Sequence, residues 1–292
     1  MKEEKVDLTR IIQKKFSRLS KGQKLIAQYI INEYDKAAFM TASKLGNKVG
    51  VSESTVVRFA NALGYDGYPQ LQKELQELVK TKLTTVQRLE MSKDYKDGGT
   101  VLKKVLKADM DNIRHMIDEL DDKLFQSVID KILEADRVYI VGLRSSSTLA
   151  EYLGFYLNLV LDNVRVVRLG VSDVFEQILR VKEGDLVIGI SFPRYSKITL
   201  NALNYTKEQG ATIVGLTDSK VSPITEIADY TLTARSNMAS FVDSLVAPLS
   251  LINALIVALG MKERDKISTT FNKLENIWKK QNVYDNKDGS SL

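Results

Sequence analysis

Apolar residues along this chain follow two regimes. Over residues 1–82 they recur at helical spacing, and no stretch reads as a strand. Leu25, Ile26, Tyr29 and Ile30 share one helical face, and Ser20 before them is expected as the N-cap. A short apolar piece, Ala37 to Met40, comes next. Thr41 is then expected to cap a helix over Ala42 to Val49 that Gly50 closes, and Ser52 to cap another reaching Leu63. Gly64 and Gly67 punctuate, and Pro69 opens a further helix to about Lys82. Polar residues 83–100 read as a linker, and helices are expected at about 101–119 and 122–135. The pattern then changes to short apolar runs at Val138–Val141, Val164–Val167, Leu186–Ile190, Ile213–Leu216 and Tyr230–Leu232, mostly separated by helical stretches. Helices at about 241–259 and 262–280 end the chain before a polar tail.

Strands alternating with helices predict βαβ units and a five-stranded parallel sheet covered by helices on both faces. The fold class expected is therefore α/β with an all-α N-terminal domain. The boundaries expected are a helical domain at 1–82, a linker and connecting helix at 83–121, an α/β domain at 122–283 and a disordered tail at 284–292. The length of 292 residues fits two domains at roughly 100–200 residues each.

Composition removes several chemistries. Cysteine is absent, which excludes a disulfide framework, a thiol nucleophile and Cys-based metal sites. His115 is the single histidine, so a Ser-His-Asp triad or a two-histidine zinc site needs unusual help. No cofactor is expected. The most apolar run, Phe241 to Gly260, is interrupted by Asp243, Ser244, Pro248, Ser250 and Asn253, and reads as a buried helix rather than a membrane span. The N-terminus is charged from Lys2 onward, without an apolar h-region, which gives a cytoplasmic expectation. Charge is placed unevenly. Residues 1–82 hold 15 Lys and Arg against 9 Asp and Glu, whereas the other 210 residues hold 27 against 28. A basic module on a neutral body suits a polyanion, with nucleic acid first in line.

Residues Ala42 to Asn61 meet the demands of a helix-turn-helix together. Gly46 supplies the small residue where the second helix packs on the first, and Gly50 suits the positive φ of the turn. Leu45, Val49, Val51, Val56 and Phe59 fill the angle between the helices. The second helix then exposes Ser52, Ser54, Thr55 and Arg58 near its start, where such motifs meet base edges and phosphates. Arg58 is the strongest candidate, because its guanidinium fork can be bidentate to guanine. Thr41 and Lys44 on the first helix complete the expected DNA-facing set. The plainer alternative makes Ser52 a cap and Arg58 a solvated charge.

The stretch around Leu19-Ser20, Ala38-Phe39-Met40-Thr41-Ala42-Ser43-Lys44-Leu45, Val51-Ser52-Glu53-Ser54-Thr55-Val56-Val57-Arg58-Phe59 and Leu63-Gly64-Tyr65-Asp66-Gly67-Tyr68 resembles the N-terminal domain of the RpiR/MurR family of bacterial transcriptional regulators. That resemblance implies double-stranded DNA as a partner.

In an open parallel sheet, ligands bind beyond the carboxyl ends of the strands. Gly142-Leu143-Arg144-Ser145-Ser146-Ser147-Thr148 follows the first run, and Ser191-Phe192-Pro193-Arg194-Tyr195-Ser196-Lys197 the third. Thr217-Asp218-Ser219 and Ser222-Pro223 follow the fourth. Each of the first two loops leads into a helix, and hydroxyls with backbone N–H groups there suit an anion. The alternative is that these serines only cap helices. The candidate ligand set is Gly142, Arg144, Ser145, Ser146, Ser191, Arg194, Ser196 and Thr217. This half is similar to the SIS (sugar isomerase) domain that accompanies the RpiR-type N-terminus. The similarity implies a flavodoxin-like sheet binding phosphorylated sugars, with Ser146, Ser191 and Ser196 at the family's phosphate-binding hydroxyl positions. The chain departs from the pattern at Arg144, where a second glycine is common, and at Pro193-Arg194, where Ser-Gly is common. The arginines could meet a more anionic ligand, or one could pair with an acid such as Glu176.

The expected function is a non-enzymatic, ligand-responsive regulator of carbohydrate metabolism genes, with a phosphorylated sugar effector. A homodimer or homotetramer is expected, since two recognition helices read two half-sites. The helices at 241–259 and 262–280 are its candidate interface. The alternative is a sugar-phosphate isomerase with an accessory helical domain. Such an enzyme needs a general base, for which Glu151 and Glu176 are the candidates.

Overall fold

The computed structural model describes residues 8–82, Arg88 and 101–284 apart from 221 and 239–241. The chain forms two compact units, Met1–Met91 and Ser92–Leu292. The expected linker at 83–100, apart from Arg88, and the tail from 285 lie outside the described residues.

The front unit contains α1 (Leu8–Lys15), α2 (Lys21–Asn32), α3 (Tyr34–Ala37), α4 (Ala42–Val49), α5 (Glu53–Leu63) and α6 (Tyr68–Lys82). The expected caps form. Ser20 and Gln23 make a reciprocal capping box at α2. Thr41 and Ser52 cap α4 and α5, each accepting from the backbone N–H three residues on. Ile26, Ile30, Leu45, Phe59, Leu71 and Leu75 are fully enclosed in its core. The turn after α3 is held from α6. Tyr68 Oη donates to the Met40 carbonyl at 2.7 Å, Gln72 Nε2 donates to the same oxygen at 2.9 Å, and Gln76 Nε2 donates to Ala38 O at 3.2 Å. These donors recur at i, i+4 and i+8, on one face of α6.

The rear unit begins with α7 (Val101–Glu119) and α8 (Asp122–Glu134). Five strands follow, β1 (Val138–Gly142), β2 (Val164–Val167), β3 (Leu186–Ile190), β4 (Thr212–Thr217) and β5 (Tyr230–Thr233), matching the five apolar runs. All pair in parallel, in the order β2-β1-β3-β4-β5. Between them lie α9 (Ser146–Val160) after β1, α10 (Val174–Ile178) after β2 and α11 (Lys197–Glu208) after β3, and α12 (Val246–Lys262) and α13 (Arg264–Gln281) close the unit. One face of the sheet packs on α8, α9 and α12 through Ile132, Leu153, Leu157 and Leu255. The other packs on α10 and α11 through Ile178, Ala202 and Leu203. Both faces are covered, so the central strands are apolar throughout, as parallel sheets require.

One helix differs from its expected start. The hydrophobic helix expected from about 241 begins at Val246, and residues 242–245 are not helical. Pro248 explains this, because proline belongs in the first turn of a helix and not in its interior. Among the described residues, no single helix is long and apolar enough to cross a membrane.

Strand β2 is an edge. The Gln177 side chain, from α10, accepts from the Arg168 N–H at 3.0 Å and donates to the Arg168 carbonyl at 2.6 Å, just beyond the strand end.

Candidate nucleic-acid interface and small-anion site

In the front unit, α4 and α5 meet across Gly46. A Cβ there would stand 2.7 Å from the Val51 carbonyl oxygen, so only glycine fits. Gly50 ends α4 in the left-handed region at φ 75°, and Val51 N–H donates to Gly46 O at 2.9 Å. The turn thus fixes where α5 starts. Ser52 Oγ accepts from Thr55 N–H and shares hydrogen bonds of 2.9 Å with both Ser54 Oγ and Thr55 Oγ1. Arg58 Nε donates to the Ser54 carbonyl at 3.3 Å, which lays the guanidinium along the exposed face. Ser52, Ser54 and Arg58 are exposed and Thr55 is half-buried, while Val56, Phe59 and Ala60 turn inward. Thr41 and Lys44 are exposed at the start of α4, linked by the Lys44 N–H to Thr41 Oγ1 bond. The six expected residues therefore lie on the two helices of one motif. The surface offers hydroxyls and cations at a helix start, where the dipole favours anions.

In the rear unit, the chain leaves β1 toward β2 on one side and returns to place β3 on the other. The loops after β1 and β3 therefore bound the crevice where strand order reverses. Gly142 ends β1 opposite Ile190. A Cβ on Gly142 would meet the Ser146 carbonyl at 2.8 Å, so this glycine lets the first turn of α9 close onto the strand. Ser145 precedes α9 but does not cap it. Ser146 and Ser191 are 4% and 2% exposed. Among the described residues their hydroxyls find no hydrogen-bond partner. Ser196 differs, because its Oγ accepts from Thr199 N–H and caps α11. The capping alternative thus accounts for Ser196 and leaves Ser146 and Ser191 unexplained.

Arg144 and Arg194 flank this crevice in left-handed backbone, at φ 58° and 62°. Each such conformation costs a non-glycine residue about 1–2 kcal/mol. The Arg144 turn is fastened by Ser147, whose N–H and Oγ both donate to the Arg144 carbonyl, at 3.0 and 2.6 Å. Both arginines are exposed. Glu176, considered as a partner for one of them, closes the capping box of α10 by accepting from Asp173 N–H at 2.9 Å.

Thr217, at the end of β4, is fully buried, and its hydroxyl donates to Asp218 Oδ1 at 3.3 Å. Tyr195 Oη donates to the same carboxylate oxygen at 2.7 Å, tying the loop after β3 to the loop after β4. Thr217 thus supports Asp218 rather than opening on the crevice. The sequence reading missed the Tyr195–Asp218 link and the Thr199 hydroxyl, which is buried without a partner among the described residues. Thr199, three residues beyond the Ser196 cap, was the available signal.

The two carboxylates considered as bases are engaged. Both oxygens of Glu151 accept from Arg168, at 2.7 Å each. His115 is exposed on α7. No group of three or more His, Cys, Asp or Glu residues that could hold a metal occurs among the described residues. A cavity of about 630 Å³ lies along edge strand β2, lined by Arg165, Arg168, Glu176, Gln177 and Arg180 among others, and is separate from the loops bounding the crevice.

Comparison with known proteins supplies the context. Residues 6–82 match the model of a helix-turn-helix domain of the rpiR family, and residues 131–258 match the SIS domain. The chain is 26% identical over 283 residues to an uncharacterized HTH-type transcriptional regulator of Haemophilus influenzae, covering 92% of this chain and 95% of that one. It is 24% identical over 212 residues to the HTH-type transcriptional regulator HexR of Pseudomonas aeruginosa, covering 70% and 71%. The sugar isomerase domain of an RpiR transcription factor from Sphaerobacter thermophilus superposes with a TM-score of 0.58 at 26% identity, over 61% of this chain and 99% of that one. The NanR protein of Vibrio vulnificus, solved with ManNAc-6P, superposes with a TM-score of 0.58 at 19% identity, over 96% of this chain and 100% of that one, which shows a shared fold.

Proposed function

The chain belongs to the RpiR family of helix-turn-helix transcriptional regulators with a SIS domain, and from that premise we propose that it binds operator DNA of carbohydrate metabolism genes under control of a phosphorylated sugar or sugar derivative. One observation carries the reading. Ser146 and Ser191, on adjacent loops at the strand-order reversal, are nearly buried residues whose hydroxyls make no hydrogen bond among the described residues, in a chain that also carries a formed helix-turn-helix. A phosphate would supply the missing acceptors, with backbone N–H groups at the start of α9 assisting.

In this reading residues 1–82 are the DNA reader and 122–283 the sensor, joined through 83–121. Thr41, Lys44, Ser52, Ser54, Thr55 and Arg58 face DNA. Gly142, Arg144, Ser145, Ser146, Ser191, Arg194 and Ser196 surround the effector, and Thr217 acts through Asp218. No catalytic role is assigned, since Glu151 and Glu176 are held by Arg168 and Asp173. The protein acts in the cytoplasm, where its DNA is, as a homodimer or homotetramer. Leu102, Met110 and Ile117 on α7, at 70%, 61% and 68% exposure, support self-association as much as the closing helices do. Effector binding changes DNA affinity by its differential affinity for the two states, with coupling of about 1–3 kcal/mol.

The test is a thermal-shift panel of phosphorylated sugars, N-acetylmannosamine 6-phosphate among them, on the full chain. Affinity for a DNA site selected in vitro is then titrated with the best stabiliser. A changed affinity is expected. A ligand that binds while DNA affinity stays constant at saturation refutes the sensor reading, and turnover of such a sugar without selective DNA binding supports an isomerase.

A further inference from the structure

Helix α7 has two unlike faces. One is fastened to its own unit. Asn112 and Met116 are buried there. Asn112 Nδ2 donates to the Asn237 carbonyl at 3.2 Å, Ser244 Oγ donates to Asp109 Oδ1 at 2.6 Å, and Glu119 pairs with Arg235. The other face is apolar. Leu102, Leu106, Met110 and Ile117 are each more than half exposed, and half-buried Ile113 lies among them. At 3.6 residues per turn these five positions fall within a stripe about 80° wide along the whole helix. A stripe that narrow is what one further helix covers.

The charges say which helix. Residues 101–108 hold Lys103, Lys104 and Lys107 and no acid, whereas 109–119 hold Asp109, Asp111, Asp118 and Glu119 against Arg114. The first half is thus +3 and the second −3. The same pattern run in the opposite direction complements both halves at once. An antiparallel pair also sets the positive end of each helix dipole beside the negative end of the other. A parallel pair instead opposes lysine to lysine and aspartate to aspartate.

Resting on the self-association reading above, we propose that the dimer is built on α7, paired antiparallel with α7 of a second copy about a twofold axis at Met110. The contact is isologous. Leu102 and Leu106 of one copy meet Ile117 and Ile113 of the other. On the polar flank, Lys103 comes beside Asp118, and Lys107 beside Asp111, which in its own helix lies 3.8 Å from Arg114.

The chain has no cysteine, so single cysteines placed in the full chain report the register. On oxidation with copper phenanthroline, Met110→Cys is expected to form a cross-linked dimer, because its two copies flank the axis within disulfide reach. Leu102→Cys alone is not, since its two copies lie about 24 Å apart along the pair, but a mixture of Leu102→Cys and Ile117→Cys chains is. Sedimentation provides a second reading without cross-links. Lys103→Glu/Lys107→Glu should weaken the dimer about 10-fold or more, and adding Asp111→Lys/Asp118→Lys should restore it. A dimer in which Met110→Cys does not cross-link, in which Leu102→Cys links to itself, or in which the four-fold charge exchange restores nothing overturns the proposal and leaves the self-association reading standing. A wild-type chain that stays monomeric at micromolar concentration, with and without DNA, overturns both.

Discussion

The two units use their hydroxyl side chains in opposite ways. In the front unit, Ser20, Thr41 and Ser52 each accept a backbone N–H three residues on, and Ser52 further engages Ser54 and Thr55. In the rear unit, Ser145 precedes a helix without capping it, and Ser146 and Ser191 lie nearly buried with no partner among the described residues. A cap stabilises the free protein by about 1 kcal/mol. A hydroxyl that makes no such bond adds nothing comparable to the free protein and stays available to a ligand. Among the described residues the front unit's cap hydroxyls are all committed to the fold, and the two rear-unit serines are not.

The severest way to break this contrast is at the helix-turn-helix crossing. Gly46→Val should destabilise the front unit by about 3 kcal/mol, since the added Cβ meets the Val51 carbonyl oxygen and not a movable side chain. Calorimetry should show the front transition shifted down and the rear one in place. Arg58→Ala should cost about 2 kcal/mol of DNA affinity, measured by fluorescence anisotropy on the selected site, with the fold retained. Loss spread evenly over all sequences would mark Arg58 as a phosphate contact, and loss confined to one base position as a base contact. The direct comparison is Ser52→Ala against Ser146→Ala. The first should lower stability by about 1 kcal/mol. The second should leave stability within about 0.5 kcal/mol of wild type while reducing the thermal shift given by the effector. Equal losses of stability would erase the contrast between the two units.

The smallest effect lies at alkaline pH. Burial pushes Tyr65 and Tyr68 of the front unit up to about 12, with Glu74 adding to the rise at Tyr65. The unfolded chain gives up these protons near 10, before the folded one does. The stabilisation is thus complete below pH 10 and drains away between 10 and about 12. A pH series of front-unit melts should show that decline, shallower in Tyr68→Phe.

What the sequence discloses follows the same division. The caps at Ser20, Thr41 and Ser52 are legible because cause and effect lie three residues apart. The five strands are legible because a sheet covered on both faces leaves unbroken apolar runs. Gly46 and Gly50 are legible because their spacing is the motif. The start of α12 is misjudged, since hydropathy continues upstream of Val246 and only Pro248 marks the first turn. In the crevice, Ser146 and Ser191 are legible by position, but their lack of partners is not. The Tyr195–Asp218 bond spans 23 residues and two strands. No local rule gives an arginine a positive φ, so the conformation of Arg144 and Arg194 emerges only from the assembled loops.

The Gln177 side chain has a consequence of a different kind. A sheet edge is a template on which another chain can grow, and an unguarded one invites polymerisation. Strand β2 is four residues long and carries exposed Arg165. Just past its end, one amide side chain occupies both the donor and the acceptor of Arg168, as a neighbouring strand would. Gln177→Ala would unmask that end, and the variant should show itself first as slow, concentration-dependent fibril growth in storage, seen by light scattering before any change in melting.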